Sequence, residues 1–172
     1  MSQRTEAFIA TVTQHFADID ELAQVVIKGH LLIEEQFNTI LQHSVLHADQ
    51  VTEANLRFYQ KLQLVKAFCV SPYGDGMFDL MALMNALRNG IAHSLDQNKR
   101  AEQFKRMKIA YLRELEKEGL AKEDEVLLDH LLFMMAVGLC TGFLGRMEDE
   151  ARATNNVNQR LLAARRKELT RE

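Results

Sequence analysis

A single proline, Pro72, interrupts 172 residues, and that scarcity constrains the fold more than any other feature of the chain. Proline removes a backbone donor and clashes with the preceding helical turn, so a chain almost without it is free to run in long helices. The stretches between turn signals are rich in Leu, Ala, Glu, Lys, Gln and Met, which lose little on entering a helix. Apolar residues recur at helical spacing, and no segment shows the sustained alternation of a half-buried strand.

These stripes predict the elements. A first helix covers about 2–16 with Phe8, Ile9, Val12 and Phe16, and Asp18 and Asp20 offer a break and a new N-cap. A second carries Leu22, Val26, Gly29, Ile33, Phe37 and Leu41 to about residue 42, and 43–50 reads as a connection. A third opens at Thr52 and Asn55 and runs through Leu62 and Val65 to Cys69. Proline and two glycines make 71–76 a turn. A fourth helix starts near Met77 and carries Leu80, Met81, Met84 and Leu87 into residues 88–93. A fifth covers about 98–118, with Gly119 as its stop. A sixth runs from near Glu123 to about Arg152, where Ala153-Thr154-Asn155-Asn156 weakens it. Short connections between long amphipathic helices predict an all-α, up-and-down bundle of five to six helices. Residues 1–152 form that bundle, and 153–172 a C-terminal helix or basic tail.

Composition narrows the setting. Hydrophobic residues make up 47% and charged residues 26%, the balance of a soluble globular protein. Cys69 and Cys140 stand in apolar surroundings and read as buried thiols, which fits a reducing cytoplasm. Residues 5–24 are amphipathic and carry acids, unlike a secretory signal. The apolar run 126–144 approaches membrane length but contains Asp129 and His130, so it reads as a core helix and no membrane partner is expected. Within it Met134-Met135 read as flexible core filler, and Gly138, Gly142 and Gly145 as tight internal packing. Asp129 and His130 form a polar contact in the core or an interface, or approach a functional cleft. The net charge of −3 argues against a general nucleic-acid coat protein. It hides an asymmetry, −5 over residues 1–96 and +2 over 97–172, and the local field matters more than the sum.

Chemistry concentrates in Asn85-Ala86-Leu87-Arg88-Asn89-Gly90-Ile91-Ala92-His93. At about 100° per residue Asn85, Asn89 and His93 share one broad face, with Arg88 on the adjoining flank. Arg88 and His93 are about 140° apart on an ideal helix, too far to converge on one small group. Either the helix bends or ends near Gly90, or two copies of the motif face each other across a homodimer. The residue types suit a phosphodiester. Guanidinium makes bidentate bonds to phosphate oxygens and stabilises developing negative charge. Histidine exchanges protons near neutrality, and a neutral asparagine orients either partner. RNA supplies its own nucleophile in the 2′-hydroxyl. The chain has no HExxH, paired-cysteine spacing or Asp-rich loop, so no metal or other cofactor is expected.

Two further groups stay open. His30 and Glu34, four residues apart, either enter the cleft to bind substrate and orient Arg88 or His93, or form a polar-face pair that hydrogen-bonds internally. Lys99, Arg100, Lys105, Arg106 and Lys108 follow the motif against one acid, Glu102, as an RNA backbone track led by Lys99 and Arg100 or as a solvated helix face.

The motif resembles the Arg-x4-His signature of the HEPN superfamily, in its Arg-Asn-x-x-Ala-His form. Gly29-His30-Leu31-Leu32-Ile33-Glu34-Glu35 also looks like the early-helix segment of bacterial members, where a polar residue can approach the site. The resemblance implies a helical bundle and a metal-independent endoribonuclease that leaves a 2′,3′-cyclic phosphate. It further implies a dimer with both motifs lining one cleft, Arg88 and His93 as the essential pair, and Asn89 in support. Many bacterial members are toxins held by an antitoxin, or defence effectors. Others are non-catalytic modules that act through protein or nucleotide partners.

Overall fold

Asp20 opens the architecture as the N-cap of the first described helix. The computed structural model describes residues 20–71, 74–93, 96–120 and 127–169; the helix expected at 2–16 lies outside them. The protein is all-α, with six helices among the described residues. Helix α1 is Glu21–Ser44, and Asp20 Oδ1 accepts from the Ala23 amide at 2.8 Å. This satisfies one of the donors that a helix start leaves unpaired. Helix α2, Ala48–Glu53, is a short turn where a plain connection was expected. It ends at Asn55, whose φ of 47° is a left-handed conformation that asparagine tolerates better than most residues. Helix α3 is therefore Phe58–Phe68 and does not begin at Thr52.

Helix α4 spans Gly74–His93, starting three residues before the expected Met77. Both glycines of the expected turn lie in its first turn, and each meets another side chain closely. A Cβ on Gly74 would come within 2.8 Å of Cys69 Sγ, and one on Gly76 would collide with the Glu114 carboxylate. Helix α5, Gln97–Lys117, is capped by Asp96 Oδ1, which accepts from the Asn98 and Lys99 amides. It stops as expected at Gly119, whose φ is 68°. There Leu120 donates to the Leu115 carbonyl and Gly119 to the Glu116 carbonyl, the paired bonds of a Schellman ending. Helix α6, Asp129–Leu169, runs unbroken through 153–156. Those four residues lower helix propensity by only about 0.7 kcal/mol each at most, and none is glycine or proline.

Helix α1 lies at the centre. Against one side packs α6, running parallel: Glu21 meets His130, Gly29 meets Phe133 and Val137, and Gln36 Nε2 donates to the Thr141 carbonyl. Against the other side lies α3, through Phe58 and Lys61. Helix α5 runs antiparallel to α4, so Gln103 sits over Gly90 and Glu114 over Gly76. Ile33, Phe37, Leu80, Met81, Met84, Leu87, Met107 and Phe133 are fully buried between the helices. Each such side chain contributes roughly 1.5–3 kcal/mol of transfer free energy.

Helix α6 corrects two expectations. Met134 and Met135 are exposed at 53% and 49%, whereas Met77, Met81, Met84, Met107 and Met147 fill the core. A Cβ on Gly138, Gly142 or Gly145 would meet nothing within 4 Å. Those glycines lie about 140–200° around the helix from buried Cys140, so they point away from the bundle. Close helix approach depends on Gly29 instead, where a Cβ would lie 2.5 Å from Val137 Cγ2. By length and composition α6 could cross a membrane, yet 44% of its apolar window is buried. That is compatible with the core helix of a soluble protein.

Candidate active site

Helix α4 stays regular through Gly90 and ends at His93. No break in the helix occurs at Gly90, and the helix end expected near it comes three residues later, at His93 itself. Gly90 is buried because the Gln103 amide from α5 lies against it, where a Cβ would collide. Arg88 is half-buried, and its Nη1 donates to Asn89 Oδ1 at 3.1 Å. Asn89 and His93 are exposed. His93 has no hydrogen-bond or ion-pair partner among the described residues. Asp75, Asp79, Ala82, Ala86, Asn89 and His93 recur at alternating steps of four and three along α4, a spacing that keeps them on one side of the helix. Small alanines in the middle of that side leave room beside Asn89.

Beside Arg88 lies a half-buried polar seam. His30 on α1 is only 7% exposed, and its Nε2 is 3.0 Å from Asn85 Oδ1 on α4. Since that oxygen accepts, Nε2 carries the proton and Nδ1 is left as the acceptor in the neutral ring. Nδ1 faces Glu34 Oε2 at 3.8 Å, beyond hydrogen-bond reach, so the expected His30–Glu34 bond does not form. Glu34 instead takes a 2.8 Å bond from Lys61 on α3. The His30 ring stacks on Phe58 with centroids 4.3 Å apart.

Burial is the main reason that His30 titrates below its ordinary 6.5. The Asn85 hydrogen bond and the Glu34 charge oppose that shift, while the positive charges of Arg88 and Lys61 add to it. Arg88 thus stands close enough for its field to reach His30. The seam joins His30, Glu34, Asn85 and the flank of Arg88, and His93 takes no part in it. His30 positions Asn85, one turn before Arg88. Lys61 and Phe58 were missed by the sequence reading, because nothing in a helix's own pattern says which neighbour its flank will meet.

The expected RNA track divides. Lys99 is exposed, as are Lys105, Arg106 and Lys108. Arg100 is half-buried and makes a two-pronged pair with Asp20, the second contact being Nη2 to Oδ1 at 2.7 Å. That guanidinium holds the Asp20 carboxyl below its usual range, and Asp20 in turn raises Arg100. Arg100 therefore clasps α5 to the start of α1. His130 Nδ1 lies 3.3 Å from Glu21 Oε2, and Asp129 is exposed, so both belong to the paired starts of α1 and α6. Both thiols are free. Cys140 is buried, which pushes its thiol strongly upward, while Cys69 is half-buried. Among the described residues no group of three or more His, Cys, Asp or Glu could hold a metal ion.

No protein-family model matches the chain, and neither a curated protein nor a solved structure shows detectable similarity to it.

Proposed function

We propose that this protein is a metal-independent endoribonuclease of the HEPN type, acting in the cytoplasm as a homodimer and serving as a toxin or defence effector. The observation that carries this reading is the state of the motif. A half-buried arginine is oriented by Asn89 at 3.1 Å, and an exposed histidine with no partner among the described residues stands at the end of the same helix. A structural brace would pair the histidine; a proton-transfer group must keep its ring free to meet substrate.

Helix α4 continues unbroken through Gly90, and in this reading a second copy supplies the other half of the cleft. His93 removes the 2′-hydroxyl proton, and O2′ attacks the adjacent phosphorus. The bond from phosphorus to O5′ breaks, and His93 of the second copy protonates that leaving oxygen. Products are a 2′,3′-cyclic phosphate and a 5′-hydroxyl. Arg88 stabilises the extra charge on the phosphoryl oxygens as it develops. Exposed Lys99 with Lys105, Arg106 and Lys108 holds the RNA backbone, which makes binding weaken as salt rises. An antitoxin or regulatory protein would act by covering Asn89 and His93.

Incubating the full chain with tRNA and with an mRNA in EDTA tests this. Cleavage should yield 2′,3′-cyclic ends and fall about 100-fold or more in His93→Ala and Arg88→Ala, the scale of a lost acid–base group. Equal residual cleavage by wild type and His93→Ala would overturn the proposal. A second reading, a non-catalytic HEPN module that binds a protein or nucleotide, is favoured by the −5 charge of residues 1–96. It predicts no cleavage, with binding of a partner lost in Arg88→Ala.

A further inference from the structure

The outward face of α6 is unusual for a helix of a soluble bundle. Residues 131–145 contain no charged residue, although only the side built on Phe133, Ala136, Cys140 and Leu144 is fully buried. The opposite side exposes Leu131 at 39%, with Met134 and Met135 about half exposed, and then Gly138, Gly142 and Gly145 with open space before them. Large side chains occupy the first half of this stripe and almost none the second. Nothing among the described residues packs there.

We propose that this face pairs two copies of the chain, antiparallel, about a two-fold axis through Gly138. A two-fold contact must be self-complementary, and the order of sizes along the stripe supplies that. In this register Leu131 faces Gly145, Met134 faces Gly142, and Met135 faces Thr141 of the second copy. Each large residue enters the space of a small one, and the two backbones cross at Gly138, where no side chain holds them apart. A parallel pairing would oppose Leu131 to Leu131 and Met134 to Met134, leaving a gap between the glycines. No charge is buried by the contact, which removes the main penalty for closing it. A bilayer fits the face poorly. The charge-free run is about 22 Å long, short of the roughly 30 Å of a hydrocarbon core, and its other side is committed to the protein.

This contact is separate from the proposed ribonuclease cleft and does not depend on it. On α1, Gly29 and Gln36 reach α6 while Glu34 reaches α3, about 140–160° away around the helix. The α6 face and the Arg88 flank therefore lie on different sides of the bundle. If α4 also joins copies, the full assembly contains both contacts.

The full chain tests the pairing by sedimentation equilibrium and by cross-linking. Gly138→Leu should halve the mass of the assembly while keeping wild-type helical content, since the protomer has room for the larger side chain. In a Cys69→Ser background, Gly138→Cys should cross-link to itself under mild oxidation. Leu131→Cys mixed with Gly145→Cys should give the mixed disulfide in preference to either self-pair. An unchanged mass in Gly138→Leu, or preferential self-linking of Leu131→Cys, would overturn the proposal. So would a monomeric wild type, whether it binds phosphatidylcholine–phosphatidylglycerol vesicles or dimerises only once residues 1–19 are deleted. The last result would assign the face to the chain's own beginning.

Discussion

His30 and His93 are the same residue in opposite circumstances. His30 is buried, stacked on Phe58 and bonded to Asn85; His93 is exposed at a helix end. A ring with both flanks occupied contributes to stability and shape, whereas a ring with none contributes little to stability and is free for chemistry. Asn85 and Asn89 repeat the contrast one turn apart on α4, the first tied to α1 and the second facing out. The motif helix is thus anchored at one end of its polar face and open at the other.

The largest effect should separate the two histidines outright. His93→Ala is expected to remove about 100-fold or more of RNA cleavage and to leave the denaturant midpoint within error of wild type. A destabilised His93→Ala would break the contrast by showing that His93 is also a brace. Next in size, His30→Ala should lower unfolding free energy by about 2–4 kcal/mol in urea titration. It leaves Asn85 Oδ1 without its donor and a cavity against Phe58. If its stability is unchanged, the seam is not the anchor.

Acid should sharpen the comparison further. The folded pKa of His30 lies below the unfolded value near 6.5, so the unfolded chain binds this proton more readily. The stability linked to neutral His30 is complete above about pH 6.5 and is lost as pH falls through the lowered folded value. Melting between pH 7.5 and 5 should therefore fall more steeply in wild type than in His30→Gln. Parallel slopes would remove the role given to burial. The smallest effect is expected at Gly90→Ala, within about 1 kcal/mol of wild type. The Gln103 amide must move aside, but its Oε1 is buried without a hydrogen-bond partner among the described residues, and alanine favours the helix by up to about 1 kcal/mol over glycine. A loss of several kcal/mol would mean that Gln103 cannot yield.

Much of the helical frame was legible because helix formation depends on neighbours three and four residues away. The stripe from Val26 through Ile33 and Phe37 to Leu41 placed α1, and Gly119 marked the end of α5. Local conflict was harder to judge. Gly74 and Gly76 looked like a turn because their close contacts, with Cys69 and with Glu114 on α5, are side-chain approaches that local pattern does not show. The motif on α4 was legible as a set of residue types, and the helix carries it unbroken from Gly74 to His93, which keeps Arg88 and His93 about 140° apart around the axis.

What the sequence determined by itself was periodicity, hence the all-α class, the major helices and the alignment of Asn85, Asn89 and His93. Only the tertiary structure decided which flank of each helix is covered. It turned Gly138, Gly142 and Gly145 outward and Gly29 inward, and gave Glu34 to Lys61. It also committed Arg100 to Asp20 while leaving Lys99 exposed. The physical reason is that spacing along a helix fixes angles around its axis, whereas burial depends on which other helix occupies each angle.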